Sequence, residues 1–224
     1  MDPVYPKCGK CSIKKIDRLC MKKNGKGPDD CPTKKSGSIV QRALDEMRKP
    51  ENKNFVRYAS IQEGEGYGSK ELGYANVRPI KPRIQETIEF SKKMNFMRLG
   101  LVFCMGLNKE AHILEQLLCD HGFEVVSACC KIGGLPKEEI GIIDTQKIQD
   151  GAFESMCNPI AQAMLVNEAG TEFNILLGLC VGHDSLMLKY SQAPCTVLAV
   201  KDRMLGHNPL AALYTLDSYY RALK

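Results

Sequence analysis

The chain has no tryptophan, and only 7% of its 224 residues are aromatic. Binding that stacks bases on aromatic side chains therefore has little to work with, and nucleic acid is an unlikely partner. No stretch approaches the roughly 18 consecutive apolar residues of a membrane span. The opening residues, MDPVYPKCGKC, lack the apolar core of a secretory signal. Neither G-x-G-x-x-G nor G-x-x-x-x-G-K-[ST] occurs, so neither common phosphate-cradling loop is present. These absences predict a cytoplasmic protein without a membrane segment, in a compartment where thiols stay reduced.

What is there is cysteine. Eleven cysteines in a reducing compartment point to metal or redox chemistry rather than disulfides. The rest of the composition, 44% hydrophobic and 25% charged, is that of an ordinary globular protein with room for one sizeable core and a small appendage. Charge is uneven: residues 1–50 carry 13 Lys+Arg against 6 Asp+Glu, and residues 51–224 carry 18 against 20. Lysines around a four-thiolate site would offset its negative charge and lower the thiol pKa values.

Residues 1–35 are Cys, Lys, Gly and Pro with few apolar side chains, too little to fold unaided. A bound metal would supply the missing stability. Cys8, Cys11, Cys20 and Cys31 give the spacing C-x2-C-x8-C-x10-C-P. Four thiolates complete a tetrahedral shell for zinc or the ligand set of a 4Fe-4S cluster, and the Pro after Cys31 tilts the reading to iron–sulfur.

Residues 36–96 read as a helical connector without strands. Its first helix, Ser36 to Lys49, has Ser38 as cap and Pro50 as stop, and Pro79 and Pro82 bracket the entry to a later one.

From Met97 the pattern alternates. Strands are predicted in MRLGLVFC, FEVVSACC, NILLGLC and CTVLAV, with helices after Asn108 and Asn158, a short one after His183, and one over Pro209–Leu223. Alternation predicts an α/β fold, a small doubly wound parallel sheet of about four strands over residues 97–224. Ligands bind such sheets at the strands' carboxyl ends.

Cys104, Cys130 and Cys180 fall at those ends, and Cys157 just before a helix start. We read these four as a second metal site; neighbouring side chains in a strand point to opposite faces, and Cys130, closer to the loop, is taken as the ligand rather than Cys129. Cys119 and Cys195 are assigned to packing. His183 and Asp184 sit where an acid–base pair could work, with Lys201 beside them. Asn108 and Asn158 open helices whose backbone N–H groups favour anions. Lys131 and Arg203 would add positive charge for a small anionic substrate. Lys201, Asp202 and Arg203 could instead form an ion-pair network at the strand end. Without metal, Cys180 beside His183 could be a reactive thiol.

The CGKC start, CNPIAQA, NILLGLCVGHDSL, VKDR and HNPLAALY resemble an uncharacterised prokaryotic family of cysteine-rich metal-binding proteins, a domain-of-unknown-function family. The resemblance runs over nearly the whole chain. It implies metal binding through cysteines and brings no reaction with it. The expectation is thus a cytosolic iron–sulfur or zinc protein with a redox or small-anion role at its second cysteine site and a redox partner protein. Its rival is a non-enzymatic zinc knuckle that binds nucleic acid or an acidic protein.

Overall fold

The computed structural model describes residues 5–224; the first four residues of the 1–35 module lie outside the described residues. The chain groups into two compact units, one through Glu63 and one from Gly64. The expected 36–96 connector is thus divided between them.

The first unit opens with single turns at Cys8–Lys10 and Lys15–Asp17, followed by the one-turn α1 (Pro32–Lys35), α2 (Gly37–Arg48) and most of α3 (Pro50–Glu65). Ser36, not Ser38, occupies the cap position of α2, and no side chain caps it. Pro50 does not stop the helical run. It opens α3 after the single residue Lys49, because the first turn of a helix needs no N–H from its leading residue. The turns at Cys8 and Lys15 and helices α1 and α2 contain no buried residue. The apolar residues of α2, Ile39, Val40 and Met47, remain exposed.

The second unit begins with a two-residue antiparallel ladder, β1 (Tyr67–Gly68) against β2 (Arg78–Pro79), where sequence reading expected no strand. Helix α4 (Arg83–Lys93) follows. Then come β3 (Arg98–Phe103), α5 (Asn108–Asp120), β4 (Glu124–Cys129), α6 (Pro159–Glu168), β5 (Phe173–Leu179), α7 (His183–Tyr190), β6 (Cys195–Val200) and α8 (Leu210–Tyr214). The last helix is much shorter than the predicted 209–223. After Tyr214 the chain breaks into turns, with a backbone N–H of Tyr220 donating to Thr215 O.

The sheet is parallel throughout, in the order β4-β3-β5-β6. From β3 the chain steps outward to β4, then crosses back to β5 on the other side of β3. Strand order reverses between β3 and β5, which makes the carboxyl end of that pair the topological switch point. Val102 and Leu176 face Ala163, Val166 and Met187 of α6 and α7 in one buried cluster. Their neighbours Leu101, Ile175 and Leu177 alternate to the opposite face and are buried as well. Every residue of β5 is buried, as expected of a central strand covered on both faces.

Two details fix the switch-point strands. Gly100 leaves room for the buried Asn174: a Cβ at Gly100 would come within 1.9 Å of Asn174 Oδ1. Asn174 Oδ1 accepts from Thr171 Oγ1 at 2.8 Å, and its amide donates to Ser191 Oγ at 2.8 Å. Gly178, at φ 67°, breaks the register between β5 and β6. A Cβ there would lie 2.1 Å from Leu107 Cδ1, so only glycine admits the loop after β3.

Gly100→Ala should therefore lower unfolding stability by about 1–3 kcal/mol through overpacking against Asn174. Urea denaturation checks this, and a stability within error of the parent would show that the Asn174 network shifts without cost.

Candidate functional site

Each strand of the switch-point pair ends one residue before a cysteine. Cys104 follows β3 and Cys180 follows β5, and the Cys104 N–H donates to Leu177 O at 3.1 Å, locking the two ends together. Cys130 follows β4, its N–H donating to Phe103 O at 2.9 Å. Cys157 arrives from the other direction, two residues before α6. Its neighbour Asn158 donates its backbone N–H to Cys130 O at 2.7 Å and accepts the Ala161 N–H on Oδ1 at 3.0 Å. Cys104, Cys130, Cys157 and Cys180 thereby line one cleft of ≈ 460 Å³. Cys129 is not among the lining residues, as the strand's alternation requires.

Two sulfurs touch: Cys157 and Cys130 lie 3.7 Å apart, sharing one proton. That shared hydrogen bond, with Lys131 and His183 nearby, pulls the Cys157 thiol down to about 5 against the cost of burial. The same bond and burial push Cys130 up, although the Met105 N–H donates to its sulfur at 3.3 Å. Of the two thiols, Cys157 is the one favoured to ionise. Arg203 Nη2 donates to Cys180 Sγ at 3.2 Å. Its own pKa is raised first by Cys180 and further by Cys104 and Cys157, so one guanidinium senses three of the four sulfurs.

Of the other residues expected at the site, His183, Lys131, Lys201 and Arg203 line the cleft. Asn108, Asn158 and Asp184 do not. Asn108 is the first residue of α5 and makes no side-chain cap, and Asn158 is spent capping α6. Asp184 Oδ1 accepts the Ser185 N–H at 2.7 Å, so it is folded onto its own backbone rather than paired with His183. The expected ion-pair network of Lys201, Asp202 and Arg203 does not form. Asp202 Oδ1 instead accepts the N–H groups of Met204 and Leu205 at 3.0 and 2.9 Å, and the Asp202 N–H donates to His207 Nδ1 at 3.1 Å. This turn aims Arg203 at Cys180. Cys119 is exposed on α5, so the packing role assigned to it fails; Cys195 is half-buried beside Ala193 O.

Residues 131–155 have no helix or strand period, and beyond the lysines Lys131 and Lys137, expected over the site, the sequence assigns them no role. The segment is a loop on a stem. Lys131 Nζ donates to Ser155 O at 2.5 Å, Pro136 pairs with Ser155, and the Met156 N–H donates to Leu135 O at 2.8 Å. Farther out, the Lys147 ammonium is buried between Glu138 and Asp144 and donates to Ala152 O at 3.1 Å. This loop presents Ile140, Ile142, Ile148 and Met156 to the cleft. The available signal was the run GIIDTQKI, whose isoleucines are too apolar for an idle surface loop.

The first unit has its own cysteine pocket, ≈ 80 Å³, lined by Cys8, Cys11, Cys20 and Cys31 together with Arg18. Arg18 braces the surrounding loops, donating to Ile13 O at 2.9 Å and Cys11 O at 3.2 Å. Partial loss of solvent would raise the Cys31 thiol, but Thr33 and Lys34 outweigh it, and its pKa is lowered. In neither unit do three His, Cys, Asp or Glu side chains among the described residues close on a single point as a ready cage for one ion. Among the described residues no helix is long and apolar enough to cross a membrane.

Comparison with known proteins adds a lineage but no reaction. An uncharacterized protein of Methanocaldococcus jannaschii is 42% identical over 214 residues, covering 96% of this chain and 95% of the relative. The profile of a family described as "Protein of unknown function (DUF1847)" matches residues 31–198, a span that holds all four cleft cysteines and begins at Cys31. On both grounds the chain belongs to the DUF1847 family.

Proposed function

We propose that the chain is a metal-dependent redox protein whose working centre is the switch-point cleft. The observation that carries this reading is the gathering of Cys104, Cys130, Cys157 and Cys180, from four separate segments, on one cleft. Metals bind thiolates, and the surroundings favour them: Lys131, Lys201, Arg203 and His183 offset negative charge. Four thiolates are the donor set of zinc and of iron–sulfur clusters alike. A lone zinc draws all its sulfurs to about 2.3 Å, hence roughly 3.8 Å from one another. The Cys130–Cys157 pair, 3.7 Å apart, already meets that spacing. The ≈ 460 Å³ of space argues for something larger than one ion, and we assign an iron–sulfur cluster. Bound there, it would supply one-electron transfer. The residues of this chain hold the thiolates, balance their charge and shield them under the 131–156 loop.

The ≈ 80 Å³ pocket of the first unit suits a single structural zinc on Cys8, Cys11, Cys20 and Cys31. That ion would replace the core that this stretch lacks.

A second reading rests on the sulfur contact alone. With no metal bound, the Cys157 thiolate could attack a disulfide substrate and expel one thiolate. Cys130 would then give up its proton, attack the Cys157 sulfur and release the second thiol. The substrate disulfide is reduced and Cys130–Cys157 oxidised to a disulfide.

Protein purified without oxygen should be brown, with iron and sulfide in about equal amounts. Cys104→Ser and Cys180→Ser should each lower both contents. A colourless, iron-free, folded protein with all thiols titratable would sink the cluster reading. Removal of zinc by a chelator should expose residues 5–36 to limited proteolysis while the sheet unit stays resistant; equal resistance before and after chelation would count against the structural ion. In metal-free protein, alkylation of Cys157 should follow its thiolate. Its rate should rise through about pH 5 and level off by neutral pH, and Lys131→Met should shift the rise to higher pH. Mass spectrometry of iodoacetamide-trapped protein reads this, and a midpoint near that of an ordinary thiol would remove the primed thiolate.

A further inference from the structure

The cleft lining mixes cations and apolar side chains. It carries Lys131, Lys137, Lys201 and Arg203 against a single carboxylate, Glu154. Two of these cations are committed: Lys137 to Glu154, and Lys131 to Ser155 O. Arg203 uses one N–H on Cys180. Among the described residues the Lys201 ammonium has no hydrogen-bond or ion-pair partner. It lies 3.5 Å from where a Gly106 Cβ would be, so no side chain at that position stands beside it. The same cleft is lined by Ile140, Ile142, Ile148 and Met156 of the loop. Ile140 is 63% exposed and Ile148 88% exposed. Such isoleucines lose apolar surface to water only when something apolar covers them.

We infer that the cleft binds an organic anion with an apolar body, its carboxylate or phosphate on Lys201 and Arg203 and its hydrocarbon under Ile140 and Ile148. This rests on the cleft being the working centre proposed above, and it names the class of substrate that would meet that centre. An inorganic anion would satisfy the cations and leave the isoleucines wet. A neutral hydrocarbon would cover the isoleucines and leave Lys201 unpaired.

The probes are octanoate, acetate and octanol, titrated calorimetrically into the full chain purified without oxygen, with metal content read on the same samples. Octanoate should bind about tenfold or more tighter than either acetate or octanol. Lys201→Met should weaken octanoate about tenfold, and Lys201→Arg should restore it. Ile148→Ser should weaken octanoate and leave acetate unchanged. Equal affinity for octanoate and acetate, or octanoate binding indifferent to Lys201→Met, overturns the inference. Octanoate binding to protein that holds no iron supports it while sinking the cluster. An iron-loaded protein that ignores octanoate overturns it and leaves the cluster reading intact.

Discussion

Everything at the site depends on how β3 and β5 lie side by side. Their parallel pairing, Leu99 to Phe103 against Phe173 to Leu177, puts two carboxyl ends next to each other where the strand order reverses. From that point one connection leaves towards β4 and the other towards β6, so no crossover covers the ends of the pair. A crevice is the necessary result. Buried aliphatic side chains on both faces hold the pairing in place, and β5 has no exposed residue to slip by. Cys104 and Cys180 need only follow directly on their strands to face one another across the opening. The chemistry is thus set by topology first and by side chains second.

Much of this was legible in the sequence because it follows from period and punctuation. Four apolar runs separated by helical patterns gave the parallel sheet, and the cysteines at the ends of three runs gave the rim. Alternation put Cys129 and Cys130 on opposite faces, and closeness to the loop chose Cys130. What could not be read was anything fixed by local competition for hydrogen bonds. Asp184 and Asp202 look like partners for His183 and Arg203, but each satisfies backbone N–H groups closer at hand. Short acidic side chains in turns favour that choice. The 131–156 loop was also opaque. It has no period, and its order comes from Lys147 buried between two carboxylates and from the pairings of its stem. Likewise, Pro50 reads as a stop and acts as a start, because the same fixed φ serves both.

The two units solve the problem of stability differently. The sheet unit buries apolar residues on both faces of its central strands, β3 and β5. The first unit has turns, a one-turn helix and an amphipathic α2 whose apolar side remains open. Its loops are held by Arg18 to two carbonyls, by the Leu19 N–H donating to Lys26 O and by the Lys26 N–H donating to Asp17 O. Such bonds position cysteines well, but each adds only about 1 kcal/mol net.

The stem of the 131–156 loop has a mechanical consequence. Its two legs are cross-tied beside the sheet, and the last tie, from Asn158 to Cys130, passes directly behind the touching sulfurs. The outer span is braced too, through Lys147 to Glu138, Asp144 and Ala152 O, so the loop stands as one arch whose foot sets the spacing of Cys130 and Cys157.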